Sequence, residues 1–193
     1  MSKLFFLLGG VRSGKSEYSE KLVSSISEKV AYIATSEIID DEMKKRIEVH
    51  RKRRPKSWET YEILGEDIKI YKLREIFNQI ISKKIDVVLI DCITNLLSRI
   101  IYKYKLDEVE VIDNKLEKTI EEEVVLFFDS FLEIIKNSNL NVVIVSNEVG
   151  LGVVPPYYLG RIFRDLMGII NKKVAGCSDE VYFFVAGLRQ RLK

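Results

Sequence analysis

The feature that most narrows what this 193-residue chain can fold into is GGVRSGKS, Gly9–Ser16. It fits the spacing G-x-x-x-x-G-K-S, with Gly9, Gly14, Lys15 and Ser16 in register and Gly10, Val11, Arg12 and Ser13 between them. An apolar run, KLFFLL (3–8), precedes it, and a helical pattern over Ser16–Glu28 follows. Strand, glycine loop and helix in that order are the context in which this spacing carries chemistry. The glycines let backbone N–H groups converge on an anion. The next helix turns its positive N-terminus to the same anion. Lys15 can reach the outer phosphates of a nucleotide, and the Ser16 hydroxyl can hold Mg2+. The plain alternative is a glycine-rich strand-to-helix turn with no ligand.

The remaining chain repeats the same alternation. Short runs rich in Val, Ile, Tyr and Phe occur at 29–35, 85–91, 141–147 and 180–187. Unbroken apolar runs of this length suit strands buried on both faces. SWETYEI (57–63) adds a further candidate strand. Helical patterns lie between them, over Asp40–Arg53, roughly 107–136 and 158–175. In the second, Leu116, Ile120, Val124, Phe127, Phe131 and Ile134 recur at spacings of three and four. The expected fold is α/β: one P-loop NTPase-type domain over 1–193, RecA-like, with a mainly parallel central sheet flanked by helices.

Composition excludes several classes. Cys92 and Cys177 stand far apart without CxxC pairing, which argues against a disulfide framework or a zinc site and fits a reducing compartment. One histidine excludes a histidine-built metal site. The N-terminal apolar run stops after five residues at Gly9-Gly10, too short for a signal-peptide core or a membrane span. A cytoplasmic protein is expected, with no stable membrane insertion. A net charge of +2 means that any basic function is local.

The basic residues are indeed concentrated. The lone histidine, His50, sits in RIEVHRKRR (46–54), with Met43 and Ile47 on its helical face and Arg46 and Arg54 four residues to either side. Nearby cations favour the neutral imidazole. A neutral imidazole can attack phosphorus, and the same cations would stabilise the charge of a transferring group. A structural histidine on a solvated basic face is the plain alternative. Two other positions end predicted strands. Asp91 closes VVLID and fits a Mg2+-supporting carboxylate, or the N-cap of the following CITNLLSRI. Asn147 and Glu148 would sit where ligands of open α/β sheets bind, or simply shape a loop.

Over nearly its whole length the chain closely resembles the bifunctional adenosylcobinamide kinase/adenosylcobinamide-phosphate guanylyltransferases of cobalamin biosynthesis. The resemblance rests on GGVRSGKS (9–16), YIATSEIIDDEMKKRIEVHRKRRPKSWETYE (32–62), LIDCITNLLS (89–98), VSNEVGLGVVP (145–155) and RIFRDLMGIINKKVAGCSDEVYFFVAG (161–187). It implies two reactions. ATP or GTP phosphorylates the hydroxyl on the aminopropanol arm of adenosylcobinamide. GTP then guanylylates a histidine, and GMP passes to adenosylcobinamide phosphate, giving adenosylcobinamide-GDP and pyrophosphate. The guanylylated histidine falls on His50 and the phosphate loop on Gly9–Ser16. Further nucleotide contacts fall on Ala34, Thr35 and Ser36, on Arg51, Lys52, Arg53 and Arg54, and on Glu62 and Asp91. Catalytic roles are implied for His50 and Lys15, and a Mg2+ site for Ser16 and Asp91. Members resemble homotrimers. The chain departs from the usual pattern at Asn171-Lys172, at TNLLSRII (94–101) and in its basic tail GLRQRLK (187–193), which touches the corrinoid side more than the nucleotide side.

Two rivals remain at this stage. A generic small-metabolite kinase would use the phosphate loop and Asp91 but not His50. A nucleotide-gated nucleic-acid-binding module would use the basic residues between Lys44 and Lys56. Asp40, Asp41, Glu42 and Glu48 balance that segment, and only Trp58 and Tyr61 offer aromatics for stacking. No nucleic-acid partner is therefore expected.

Overall fold

The computed structural model describes residues 2–36, 41, 48, 51, 54–63, 68–106 and 113–193. In chain order the elements are β1 (Leu4–Gly9), α1 (Lys15–Ile26), β2 (Val30–Ala34), β3 (Glu59–Glu62), α2 (Ile70–Ser82), β4 (Val87–Asp91), α3 (Ile93–Tyr102), α4 (Asn114–Ser138), β5 (Asn141–Asn147), α5 (Tyr158–Cys177), β6 (Glu180–Val185) and β7 (Leu188–Arg191). The strands form one seven-stranded sheet in the order β3-β2-β4-β5-β1-β6-β7. Every pairing is parallel except the last, β6 with β7.

The apolar runs are buried on both faces because helices cover both faces. Phe5, Leu7, Val30, Tyr32, Val87, Leu89, Val143 and Val145 pack with Val23 of α1 and with Trp58. Their neighbours along the strands, Phe6, Ala31, Ile33, Val88, Ile90, Val142 and Ile144, face the opposite way and pack against α2, α3, α4 and α5. The larger core is on that second side. Phe128 is fully buried there, with edge-on contacts to Phe127 at 5.4 Å and Phe131 at 6.1 Å between ring centroids.

The topology locates the glycine loop. The chain leaves β1 through α1 for β2 on one side of the sheet, and it enters β6 through α5 on the other side of β1. The carboxyl end of β1 is thus where the winding direction changes, the crevice in which open α/β sheets bind ligands.

Several expectations are refined. The long helix begins at Asn114, with Asp113 as N-cap accepting from the Lys115 amide, and 107–112 lie outside the described residues. Its core face is carried by Phe128 rather than Phe127, and Leu116 is exposed. Helix α3 covers most of CITNLLSRI, the stretch read as following a helix cap, and α2 fills a stretch to which the sequence patterns give no element. The run expected as a strand over 180–187 ends at Val185. Ala186 and Gly187, both at positive φ (51° and 81°), make a two-residue hairpin, and the basic tail returns as β7. Of the helix expected over 40–53, residues 41, 48 and 51 are described and helical, whereas His50, Lys52 and Arg53 lie outside the described residues.

Truncating a fully buried aromatic in the larger core removes its transfer energy and leaves a cavity. Phe128→Ala should lower unfolding free energy in urea by roughly 3–5 kcal/mol. Nucleotide affinity of the folded fraction should be unchanged, since α4 lies behind the sheet.

Candidate active site

The loop after β1 is held open by its own backbone. Gly9 has φ 155°, and a Cβ there would collide with the carbonyl of Phe184 on the neighbouring strand. Arg12 (φ 56°) and Gly14 (φ 94°) take left-handed conformations. The β6–β7 hairpin supports the loop from beside it, since the Gly187 amide donates to the Ser13 carbonyl at 3.2 Å. From the other flank the Glu148 amide donates to the Gly9 carbonyl at 3.1 Å. Gly14 caps α1 without any side-chain hydrogen bond, so the cap residue leaves the first amides of that helix unsatisfied.

Lys15 opens the helix and is only 5% exposed. Its Nζ donates to the carbonyls of Gly9 at 2.7 Å and Gly10 at 2.6 Å, with the Ser13 Oγ at 3.4 Å. Burial lowers its pKa from the ordinary lysine value, and the negative charge of Asp91 opposes that shift. The ammonium is therefore tied to the loop's own oxygens.

Strand register assembles the rest. Glu62 pairs with Ala34, Ala34 with Asp91, and Asp91 with Val145, while Gly9 pairs with Asn147. Residues in register across parallel strands point to one face. Asp91 has the parity of Val87 and Leu89, so it faces the α1 side, with Ala34 and Glu62 in the same row. The helix N-cap after β4 is Cys92 rather than Asp91, and it makes no side-chain cap. Asp91 instead accepts from the Tyr32 hydroxyl at 3.3 Å. Burial, and then Asp91 itself, raise the Tyr32 phenol well above its ordinary pKa, so it remains a donor. The neighbouring Cys92 thiol is pushed up to about 11 by burial and is neutral.

Thr35 is fully buried, and its hydroxyl spans the Cys92 peptide. It donates to the Cys92 carbonyl at 2.8 Å and accepts from the Cys92 amide at 2.8 Å. The Asn95 amide group donates to the Ser36 hydroxyl at 2.8 Å and lies 3.4 Å from Thr35 Oγ1. Arg99 donates to the carbonyls of Ile63 and Thr35. Glu62 is ion-paired with Arg51, and the Arg54 guanidinium lies 3.3 Å from the centre of the Tyr32 ring. Asn147 is held through its backbone, donating to Thr94 Oγ1 at 2.9 Å and accepting from Asn171 Nδ2 at 3.2 Å. The Glu148 carboxylate accepts from the Gly150 amide at 2.6 Å, so one of its oxygens shapes the loop that follows.

Gly9–Ser16, Ala34, Thr35, Ser36, Glu62 and Asp91 thus gather at one edge of the sheet, joined there by Arg51 and Arg54. His50 is outside the described residues, although its sequence neighbour Arg51 reaches this edge. Tyr32, Asn95, Arg99 and the Gly187 hairpin are structural supports that the sequence reading does not single out. Within strands buried on both faces, period-two alternation vanishes, so nothing in VAYIA marks Tyr32 as facing Asp91. The donor set at the edge suits a hard cation. No cluster of three or more His, Cys, Asp or Glu exists among the described residues. One carboxylate with a serine hydroxyl and substrate phosphates is a customary Mg2+ arrangement.

Comparison with known proteins matches residues 5–192 to the family described as cobinamide kinase / cobinamide phosphate guanyltransferase. The chain is 36% identical over 192 residues to the bifunctional adenosylcobalamin biosynthesis protein CobU of Escherichia coli K12, covering 98% of this chain and 99% of that one. It is 32% identical over 195 residues to the CobU protein of Salmonella typhimurium LT2, covering 98% and 99%. It is 34% identical over 188 residues to the CobP protein of Pseudomonas aeruginosa, covering 97% and 95%. Among solved structures it is similar to a KaiC-like protein from Pyrococcus horikoshii, at 11% identity and a TM-score of 0.47, covering 94% of this chain and 70% of that one.

The contact between Gly9 and the Phe184 carbonyl leads to a direct expectation. Gly9→Ala should displace the loop and weaken binding of a fluorescent GTP analogue by about tenfold or more, at a stability cost of roughly 1–3 kcal/mol. Equilibrium titration and thermal melting read the two effects separately.

Proposed function

The chain belongs to the cobinamide kinase / cobinamide phosphate guanyltransferase family, and we propose on that premise that both transfers run at the carboxyl edge of its sheet. The enzyme is a bifunctional transferase, a kinase and a nucleotidyltransferase. In the first reaction the aminopropanol hydroxyl of adenosylcobinamide attacks the γ-phosphorus of ATP or GTP. An O–P bond forms, the β–γ bridge breaks, and the nucleoside diphosphate leaves. In the second, the His50 imidazole attacks the α-phosphorus of GTP, a P–N bond forms, and pyrophosphate leaves. A phosphate oxygen of adenosylcobinamide phosphate then displaces the imidazole, giving adenosylcobinamide-GDP and restoring free His50.

The observation that carries this reading is Lys15, buried at the head of α1 and bonded to the loop carbonyls of Gly9 and Gly10. On nucleotide binding its ammonium exchanges those two oxygens for β- and γ-phosphate oxygens. The backbone amides of Gly10–Ser16 and the N-terminus of α1 take the rest of that charge. Ser16 and Asp91 would hold Mg2+, which would supply neutralisation of developing phosphate charge. Arg51, Lys52, Arg53 and Arg54 bind phosphate around His50, and Ala34, Thr35, Ser36 and Glu62 line the nucleoside side. Arg51 reaching Glu62 and Arg54 reaching Tyr32 support the placement of this segment at the same edge.

The same reading makes 1–193 one catalytic domain acting in the cytoplasm as a homotrimer. Exposed Leu151, Val153, Val154 and Tyr157 beside the edge support an oligomeric contact. No helix among the described residues is long and apolar enough to cross a membrane.

Intact mass after incubation with GTP and Mg2+ tests the proposal. The wild type should gain one GMP moiety, labile in acid and stable in base, as a phosphoramidate is. His50→Ala should gain none and should still phosphorylate adenosylcobinamide. No adduct on a folded, GTP-binding wild type would reduce the protein to a simple P-loop kinase.

A further inference from the structure

We infer that Tyr32 is a positioning residue, fixing Asp91 with its hydroxyl and seating Arg54 on its ring, so that the basic segment after His50 is registered against the metal-binding carboxylate. The inference deepens the reading above and rests on its assignment of Asp91 and His50.

Three observations carry it. Tyr32 is 4% exposed within a cluster otherwise made of Val, Leu, Phe, Trp and Cys. A phenylalanine would fill that space without burying a hydroxyl, so the hydroxyl has its use in the contact with Asp91 Oδ2 at 3.3 Å. The register explains the reach: Tyr32 pairs with Leu89 and Ala34 with Asp91, which makes Tyr32 and Asp91 diagonal neighbours on one face. The ring does the second task. The Arg54 guanidinium carbon lies over it, 3.3 Å from the ring centre, and its Nε is buried with no hydrogen-bond partner.

The contrast with Arg51 is informative. Arg51 is ion-paired with Glu62, which spends its charge on a carboxylate. Among the described residues no carboxylate is ion-paired with Arg54. A guanidinium held by an aromatic face keeps its positive charge available to a phosphate. Tyr32 therefore holds a cation in place without neutralising it, and the same side chain orients the carboxylate next to it. Partners of this kind, one shell out from a metal, set the orientation of the ligands they touch.

Two variants separate the two tasks. Tyr32→Phe keeps the ring and loses the hydroxyl; Tyr32→Leu loses both. Binding of a fluorescent GTP analogue is titrated with Mg2+ and, separately, in EDTA, and GMP-adduct formation is followed by intact mass. For Tyr32→Phe the Mg2+ concentration giving half-maximal enhancement of binding should rise roughly tenfold, with affinity in EDTA unchanged. Tyr32→Leu should show the same shift and should also slow adduct formation about tenfold beyond Tyr32→Phe. An unshifted Mg2+ midpoint in Tyr32→Phe overturns the inference. So does an equal loss of adduct formation and of adenosylcobinamide phosphorylation in Tyr32→Leu, which would mean general damage. If Tyr32→Leu does not fold, by circular dichroism, Arg54→Ala replaces it and should slow adduct formation without moving the Mg2+ midpoint; a shifted midpoint would count against the division of tasks. The binding arm does not depend on adduct formation, so it decides the Tyr32–Asp91 half even if the wild type forms no adduct.

Discussion

The parallel hydrogen-bond ladder from β3 through β2, β4 and β5 to β1 is the constraint on which the rest of the molecule depends. A slip of one residue between any two of these strands would turn every side chain of one strand to the other face. Gly9, Ala34, Glu62 and Asp91 come from four strands far apart in sequence, and they share an edge only because that ladder holds. The register is enforced by burial on both sides. Phe5 and Leu7 belong with α1, whereas Phe6 belongs with the four helices behind. The stability of the core and the geometry of the site are thus one requirement. The β6–β7 hairpin adds a local version of it, since Phe184 presses on Gly9 and Gly187 bonds to Ser13.

Charge at this edge is arranged by how each group is held. Lys15 is buried and bonded to backbone carbonyls, which are neutral and can be exchanged for phosphate without leaving a charge uncompensated. Asp91 accepts a hydrogen bond from a neutral phenol. Cys92 beside it adds none, being a thiol held near 11. Arg51 and Glu62 are ion-paired, and that pair is substantially exposed at 56% and 36% of its side-chain surfaces. An exposed ion pair is worth about 0–1 kcal/mol. It guides the segment to the edge and yields readily to a phosphate.

The legibility of these parts in the sequence follows from their range. The phosphate loop is local: its function needs particular residues at particular spacings, so Gly9–Ser16 announces itself. Strand ends are nearly as legible, because a carboxylate closing an apolar run, as Asp91 does, stands out against it. Contacts between strands leave no such trace. Tyr32 looks like one more apolar-run residue, and Thr35 like an exposed loop residue when it is fully buried across the Cys92 peptide. The hairpin at Ala186-Gly187 was hidden for another reason. The strand-forming residues before it continue the pattern up to the turn, and the charged β7 reads as a tail because it is an edge strand exposed along its length.

On the proposed reading one nucleotide grip serves both reactions, because the loop would hold the β- and γ-phosphates whichever phosphorus is attacked. In phosphorylation the γ-phosphoryl group departs with the acceptor and the diphosphate remains. In guanylylation the pyrophosphate remains and the nucleoside end departs. On that reading selection between them falls to the nucleophile: a corrinoid hydroxyl approaching from outside, or the proposed imidazole of His50. The loop, Lys15 and Asp91 are built into the rigid sheet, as a shared grip needs. Arg51 and Arg54 of the basic segment meet that sheet through side chains, on Glu62 and Tyr32. On the proposed reading, the exposed Arg51–Glu62 pair can yield to a phosphate while Arg54 stays on its ring, so the same edge can admit either nucleophile in turn.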